Sequence, residues 1–261
     1  MGENPVAIAT GFLYNANPSG RSGGLTEGES IVRERYGKMK MHGRFRRGKG
    51  PLGYLVAAFL MIATLSAWAA TASRYPSWSG TAGDYTDPAM WYNGIVADVA
   101  GDCANLSRTA AGEATAYIRE GMIITNGWIN CGRTNDFNIV MSGGYVLLMQ
   151  DENVDDAALK LARGENVSGG DPIRPTGMLA MSGGLIVATN GCVSVGERGN
   201  GVLTMTGGEL WAWGRLSIAR LAGSTGTMTV SGGAKVTAYS FYLPYPSATL
   251  IVDGGTLVRT D

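Results

Sequence analysis

Residues 201–210 read GVLTMTGGEL, and residues 226–235 read GTMTVSGGAK. Outward from this pair the phrase recurs as FNIVMSGGYV (137–146), GMLAMSGGLI (177–186) and ATLIVDGGTL (248–257). Aligned on the residue before each Ser/Thr/Asp-Gly-Gly turn, one column holds Met141, Met181, Met205, Val230 and Val252. Two positions earlier stand Ile139, Leu179, Leu203, Met228 and Leu250. The intervening column, Val140, Ala180, Thr204, Thr229 and Ile251, is smaller and mixed. A period of two with one constant apolar face predicts a strand whose alternate side chains point inward.

Five positions past the anchor an apolar residue returns at Val146, Ile186, Leu210 and Leu257. The fourth copy has Lys235 there and Val236 one step later, so a one-residue bulge after Gly233 would restore the register. Ten positions before the anchor, Cys131 and Val195 end a further short strand. Each repeat thus holds about three strands, and the anchors lie 40, 24, 25 and 22 residues apart. A period in the twenties without helix-length apolar patterns predicts an all-β chain, a right-handed parallel β-helix in which each coil stacks on the last. The corners would be made by the pairs Gly143-Gly144, Gly183-Gly184, Gly207-Gly208, Gly232-Gly233 and Gly254-Gly255, because glycine tolerates positive φ. The rival, a β-sandwich or propeller of antiparallel hairpins, needs a blade period of about 40 residues or more.

Composition agrees with many short strands. The 261 residues are 45% hydrophobic and 16% charged, with 40 glycines. The formal net charge of zero averages two unlike pieces: residues 1–72 carry nine Lys/Arg against four Asp/Glu, and 73–261 carry twelve against seventeen. The basic piece contains MKMHGRFRRGKG (39–50) followed by the apolar LGYLVAAFLMIATLSAWAATA (52–72), the pattern of a signal peptide helix with a small-residue cleavage site. Cleavage is expected between Ala72 and Ser73; the alternative is an uncleaved signal anchor, since the apolar run reaches the length of about 20 residues that spans a bilayer. Membrane contact is otherwise not expected, and the remainder would be secreted or held at the cell surface. Residues 1–38 precede this signal as an extension outside the native protein or as a disordered one. The expected order is therefore extension (1–38), signal peptide (39–72), N-terminal cap and first strands (73–125), and β-solenoid repeats (126–261).

His42, the only histidine, lies in the segment expected to be removed. The mature chain then lacks any Ser-His-Asp or Cys-His set and any histidine-bearing zinc site. Cys103, Cys131 and Cys192 leave open either one disulfide with a spare thiol or three inert buried cysteines. No phosphate-cradling motif or basic stripe occurs, which argues against a nucleic-acid partner. Between the first two anchors an excursion carries Asp151, Glu152, Asp155 and Asp156; these match no calcium-loop pattern and are expected to be a solvated acidic loop. Glu197, Glu209 and Asp253 occupy unlike positions in separate coils, and Arg198 and Arg220 form at most a loose pair. No catalytic residue, cofactor or metal ligand is assigned.

The opening WSGTAGDYTDPAMWYNGIVADVAGDCANLS (78–107), with Asp87-Pro88-Ala89-Met90-Trp91 and Asp102-Cys103-Ala104-Asn105-Leu106, joined to the Gly-Gly repeats, resembles the autotransporter-associated β-strand repeat proteins of bacterial surfaces. The resemblance covers residues 78–258; Met90 stands where such heads often place Asn, and no membrane-barrel region follows the repeats in this sequence. It implies a non-enzymatic, β-helical passenger-like surface protein with a structural or adhesive role, whose partners would be glycans or other surface proteins. A pectate-lyase-like carbohydrate-active enzyme or glycan-binding protein is the alternative, because fold alone does not separate them. Trp78 and Trp91 are expected to cap the open end of the solenoid, the other reading being sugar stacking. Trp211 and Trp213 flank Ala212 and, with Leu210 pointing inward, are expected to face outward, either packed under a neighbouring loop or as a ligand-contact surface. Tyr239, Phe241, Tyr242 and Tyr245 fall nearby in sequence.

Overall fold

A computed structural model describes residues 74–107, 112–150, 157–167, 170–189 and 191–261. The extension, the signal segment with its Ala72-Ser73 junction, and the four acidic residues of the excursion lie outside the described residues. β1 (Ala82–Asp84) and β2 (Cys103–Leu106) belong to the N-terminal cap. The chain then runs through coils: β3 (Ala114–Ile118), β4 (Ile123–Asn126) and β5 (Trp128–Cys131); β6 (Phe137–Met141), β7 (Tyr145–Leu148) and β8 (Ala157–Leu161); β9 (Thr176–Met181), β10 (Leu185–Ala188) and β11 (Cys192–Val195). Three further coils have two strands each: β12 (Asn200–Met205) with β13 (Glu209–Ile218), β14 (Thr225–Ser231) with β15 (Lys235–Tyr242), and β16 (Ala248–Asp253) with β17 (Thr256–Arg259).

Every pairing between these strands is parallel. That excludes the hairpin-built sandwich or propeller and makes the molecule a parallel β-solenoid. Its first face is the seven-stranded sheet β1-β3-β6-β9-β12-β14-β16. The second face stacks β4, β7, β10, the first halves of β13 and β15, and β17. The third stacks β2, β5, β8, β11 and the second halves of β13 and β15.

The columns expected from the repeats are the columns of the sheet. Met141 pairs with Met181, Met181 with Met205, Met205 with Val230, and Val230 with Val252. The first four are buried, as are Ile139, Leu179, Leu203 and Met228. Burial of each such side chain contributes about 1.5–3 kcal/mol, so the stack carries much of the stability. The bulge in the fourth repeat is present: Leu210 pairs with Val236, and Lys235 with Glu209. A coil also precedes the first Gly-Gly phrase, because Ile118 pairs with Met141 and Ala116 with Ile139.

Two demands explain the corner glycines. Gly208 has φ +77°, a left-handed conformation, whereas a Cβ on Gly207 would meet the Ser182 carbonyl oxygen of the coil below at 2.4 Å. The second demand recurs at the start of β12, where a Cβ on Gly201 would lie 1.9 Å from the Gly196 nitrogen.

The N-terminal end is closed by aromatic rings. Trp78 meets Trp91 edge to face at 5.3 Å and Phe137 at 5.7 Å, and Tyr85 meets Trp91 at 5.0 Å. The Trp91 indole N–H donates to the Tyr85 carbonyl oxygen at 2.7 Å. The Tyr85 hydroxyl donates to the Asn126 amide oxygen at 2.5 Å, and the amide nitrogen donates to the carbonyls of Thr125 and Ala97. Trp78 and Trp91 are buried in this plug, so neither offers a sugar platform.

Candidate glycan-contact surface

The second face presents the site. Leu210 and Ala212 point into the core, and the alternation of β13 turns Trp211 and Trp213 outward, with exposures of 36% and 59%. The Trp211 indole N–H donates to Glu209 Oε2 at 2.9 Å, and the Lys235 ammonium stands 5.8 Å from the Trp211 ring centroid and 4.0 Å from the same carboxylate. A carboxylate and a cation thus hold one edge of the indole and leave part of its surface to solvent.

β13 and β15 change register between Ala212 and Arg215, where the sheet turns from the second face to the third. Ala212 pairs with Ala238 and Arg215 with Ser240, so Trp213 and Gly214 together lie opposite Tyr239, which is 53% exposed. The Arg215 guanidinium packs over the Tyr242 ring at 4.7 Å. Tyr242, Leu243 and Tyr245 are also exposed. Phe241 leaves this group: it pairs with Leu216 and packs against the core. The result is an aromatic strip crossing adjacent coils, with Glu209, Lys235 and Arg215 as polar neighbours. Flat rings beside hydrogen-bonding groups suit a ligand with apolar faces and polar edges.

The remaining candidates do not converge here. Glu197 is buried at the corner between the third and first faces, with Arg198 at 3.1 Å and Arg220 at 3.6 Å. The loose arginine pair of the sequence reading is therefore joined through that carboxylate. Asp253 lies at the exposed corner of the last coil. All three cysteines are buried and outside any disulfide, which selects the inert alternative over the disulfide. Burial pushes the Cys103 thiol up to about 12 and raises that of Cys131 further. No group of three or more His, Cys, Asp or Glu residues suited to a metal occurs among the described residues.

Sequence reasoning missed the turn in register at Trp213 and the arginines of the third corner. The first could have been suspected from Gly214, which follows Trp213 inside an otherwise regular strand. By fold and site the molecule is a parallel β-solenoid with an aromatic strip on one outer face. The chain matches no protein-family model, no curated protein and no solved structure.

Proposed function

We propose that the chain is a secreted or cell-surface β-solenoid of structural and adhesive role, whose aromatic strip contacts glycans or other surface proteins. The observation that carries this reading is the exposed row of Trp211, Trp213 and Tyr239 on a rigid parallel sheet. Exposing such rings forgoes burial that a purely structural face would use, and pyranose rings present the flat C–H faces that stack on them. The sequence resemblance to autotransporter-associated repeat proteins points the same way and supports a non-enzymatic, passenger-like role. The test is a glycan-array screen of the full chain, with released oligosaccharides assayed in the same samples. Binding without turnover, lost in Trp211→Ala/Trp213→Ala, is the expected outcome; product formation would replace this reading with the carbohydrate-active enzyme.

A further inference from the structure

A second surface lies at the corner between the third and first faces. In four successive coils the third-face strand ends in register at Cys131, Leu161, Val195 and Ile218. Each is followed by a residue of positive φ: Gly132 (+67°), Ala162 (+54°), Gly196 (+81°) and Ala219 (+53°). The backbone ladder continues around this turn, with Arg163 N–H donating to the Cys131 carbonyl and Arg220 N–H to the Gly196 carbonyl. The next residues in the four coils are Arg133, Arg163, Glu197 and Arg220. Stacked coils therefore place this column at the inter-strand spacing of about 4.7–4.9 Å.

Two more arginines join it. Arg198 pairs with Glu197, and Arg174 donates to the carbonyl oxygens of Arg198, at 3.0 Å, and Gly223. Five of the twelve Lys/Arg residues in 73–261 thus gather at one corner of a piece that is otherwise acidic. Among the described residues their ion-pair partners are Glu165, 2.6 Å from Arg133, and Glu197. The Nε–H groups of Arg133 and Arg163 are buried without a hydrogen-bond partner. A buried guanidinium donor left unpaired is costly, and an anionic oxygen is the acceptor that suits it best. Beside the column is a cleft of about 340 Å³ lined by Glu113, Thr134, Asp136, Arg174 and Pro175 among others.

We infer that this corner binds an acidic polysaccharide, a chain with about one carboxylate per sugar, running along the solenoid axis. Charge spacing selects that class over nucleic acid. Arg133, Arg163 and Arg220 hold three of the four column positions and Glu197 the other, with Arg198 beside it; cations so spaced match a polymer with one anion per ring, whereas duplex DNA carries a charge every 1.7 Å or so and would bring many phosphates against an otherwise acidic surface. Glu113 and Asp136 in the cleft can accept hydrogen bonds from sugar hydroxyls. The corner is distinct from the aromatic strip, and the inference stands whether or not that strip binds glycans.

The experiment is calorimetric titration of the full chain with a galacturonic acid hexamer, a neutral glucose hexamer and a single-stranded oligodeoxynucleotide, at low and high salt. The acidic hexamer should bind in a salt-sensitive way and the other two should not. Arg133→Gln/Arg163→Gln should weaken it at least tenfold with the thermal midpoint retained, and Trp211→Ala/Trp213→Ala should leave it unchanged. Should the arginine variant not fold, protection of Arg163 from phenylglyoxal by the acidic hexamer in the wild-type chain gives the same answer. No binding of the acidic hexamer, equal binding of the oligonucleotide, or no loss of binding or protection at these arginines overturns the inference.

Discussion

A Cβ decides the fate of single glycines in this fold, and the direction of its effect depends on what it meets. At Gly201 the added methyl would lie 1.9 Å from the Gly196 nitrogen and 2.5 Å from its Cα, both backbone atoms that cannot rotate away. Replacing glycine by alanine ordinarily stabilises by about 0.4–1 kcal/mol through the unfolded chain. Overpacking against a fixed neighbour costs about 1–3 kcal/mol or more, so Gly201→Ala should lower the urea midpoint clearly. Gly233→Ala is the control, because no atom lies within 4 Å and only its φ of +84° is unfavourable; a loss of about 1 kcal/mol is expected there. Equal losses at the two sites would refute the steric account. The thiols give a pH dependence of definite sign. Burial pushes the Cys103 thiol up to about 12 in the fold, against 9.0 for an exposed thiol, because it disfavours the thiolate. Between those values the unfolded chain binds fewer protons than the native one, so stability is intact below pH 9 and falls as pH rises toward 12. The slope is about 1.4 kcal/mol per pH unit per thiol. Denaturation midpoints from pH 8 to 11 should show it, and Cys103→Ala should make the decline shallower; identical slopes would count against it.

At the scale of elements, what the sequence disclosed depended on whether its physical cause repeats at fixed spacing. The first-face strands were legible because an aliphatic occupies each inward position and, in the five repeats, the Gly-Gly corner begins two residues past the anchor. Even the bulge before Val236 was legible, since the apolar residue moved by one place and glycine stood where the extra residue is absorbed. The third corner was not. Its left-handed position is filled by Gly132 and Gly196 but also by Ala162 and Ala219, so no constant residue marks it. Arg133, Arg163, Glu197 and Arg220 are 30, 34 and 23 positions apart, because the intervening loops differ in length, and only the register of the sheet brings them together. For the aromatic strip, parity alone exposed Trp211 and Trp213, whereas the inward turn of Phe241 follows from a register change that parity does not contain. The cap provides a test at the same scale. Trp78 is wholly buried against Trp91 and Phe137, and removal of a buried aromatic costs about 3–5 kcal/mol. Trp78→Ala should therefore destabilise the first coils by that order, while Trp213→Ala, which removes an exposed ring, should stay within about 0.5 kcal/mol of wild type. Similar losses in the two melts would contradict the assignment of one ring to the plug and the other to the surface.

For the molecule as a whole, a solenoid is held by contacts between neighbouring coils, so its stability is a profile along the axis rather than one number. The strands β9 and β12 are paired on both edges and their inward residues are buried. β16 and β17 are each paired on one edge, and Val252, the last member of the anchor column, is 46% exposed where Val230 beneath it is buried. The first coil has the aromatic plug above it, and its inward residues Ala114, Ala116 and Ile118 are buried. Amide hydrogen exchange should therefore be slowest in β9 and β12, close to that in β3 and β6, and faster by orders of magnitude in β16 and β17. Trp78→Ala should lift exchange in β3 far more than in β14, because disruption reaches a distant coil only through those between. Uniform protection from β3 to β17, or an equal rise in β3 and β14, would mean that the coils unfold as one cooperative unit. In that event the aromatic strip and the arginine corner would be coupled sites, and a ligand at one would stabilise the other through global folding. With the graded profile, each site is stabilised by the coils beneath it. A hexamer bound along the arginine corner would then protect β5, β8 and β11 in preference to the last coil, which identifies the coils it spans.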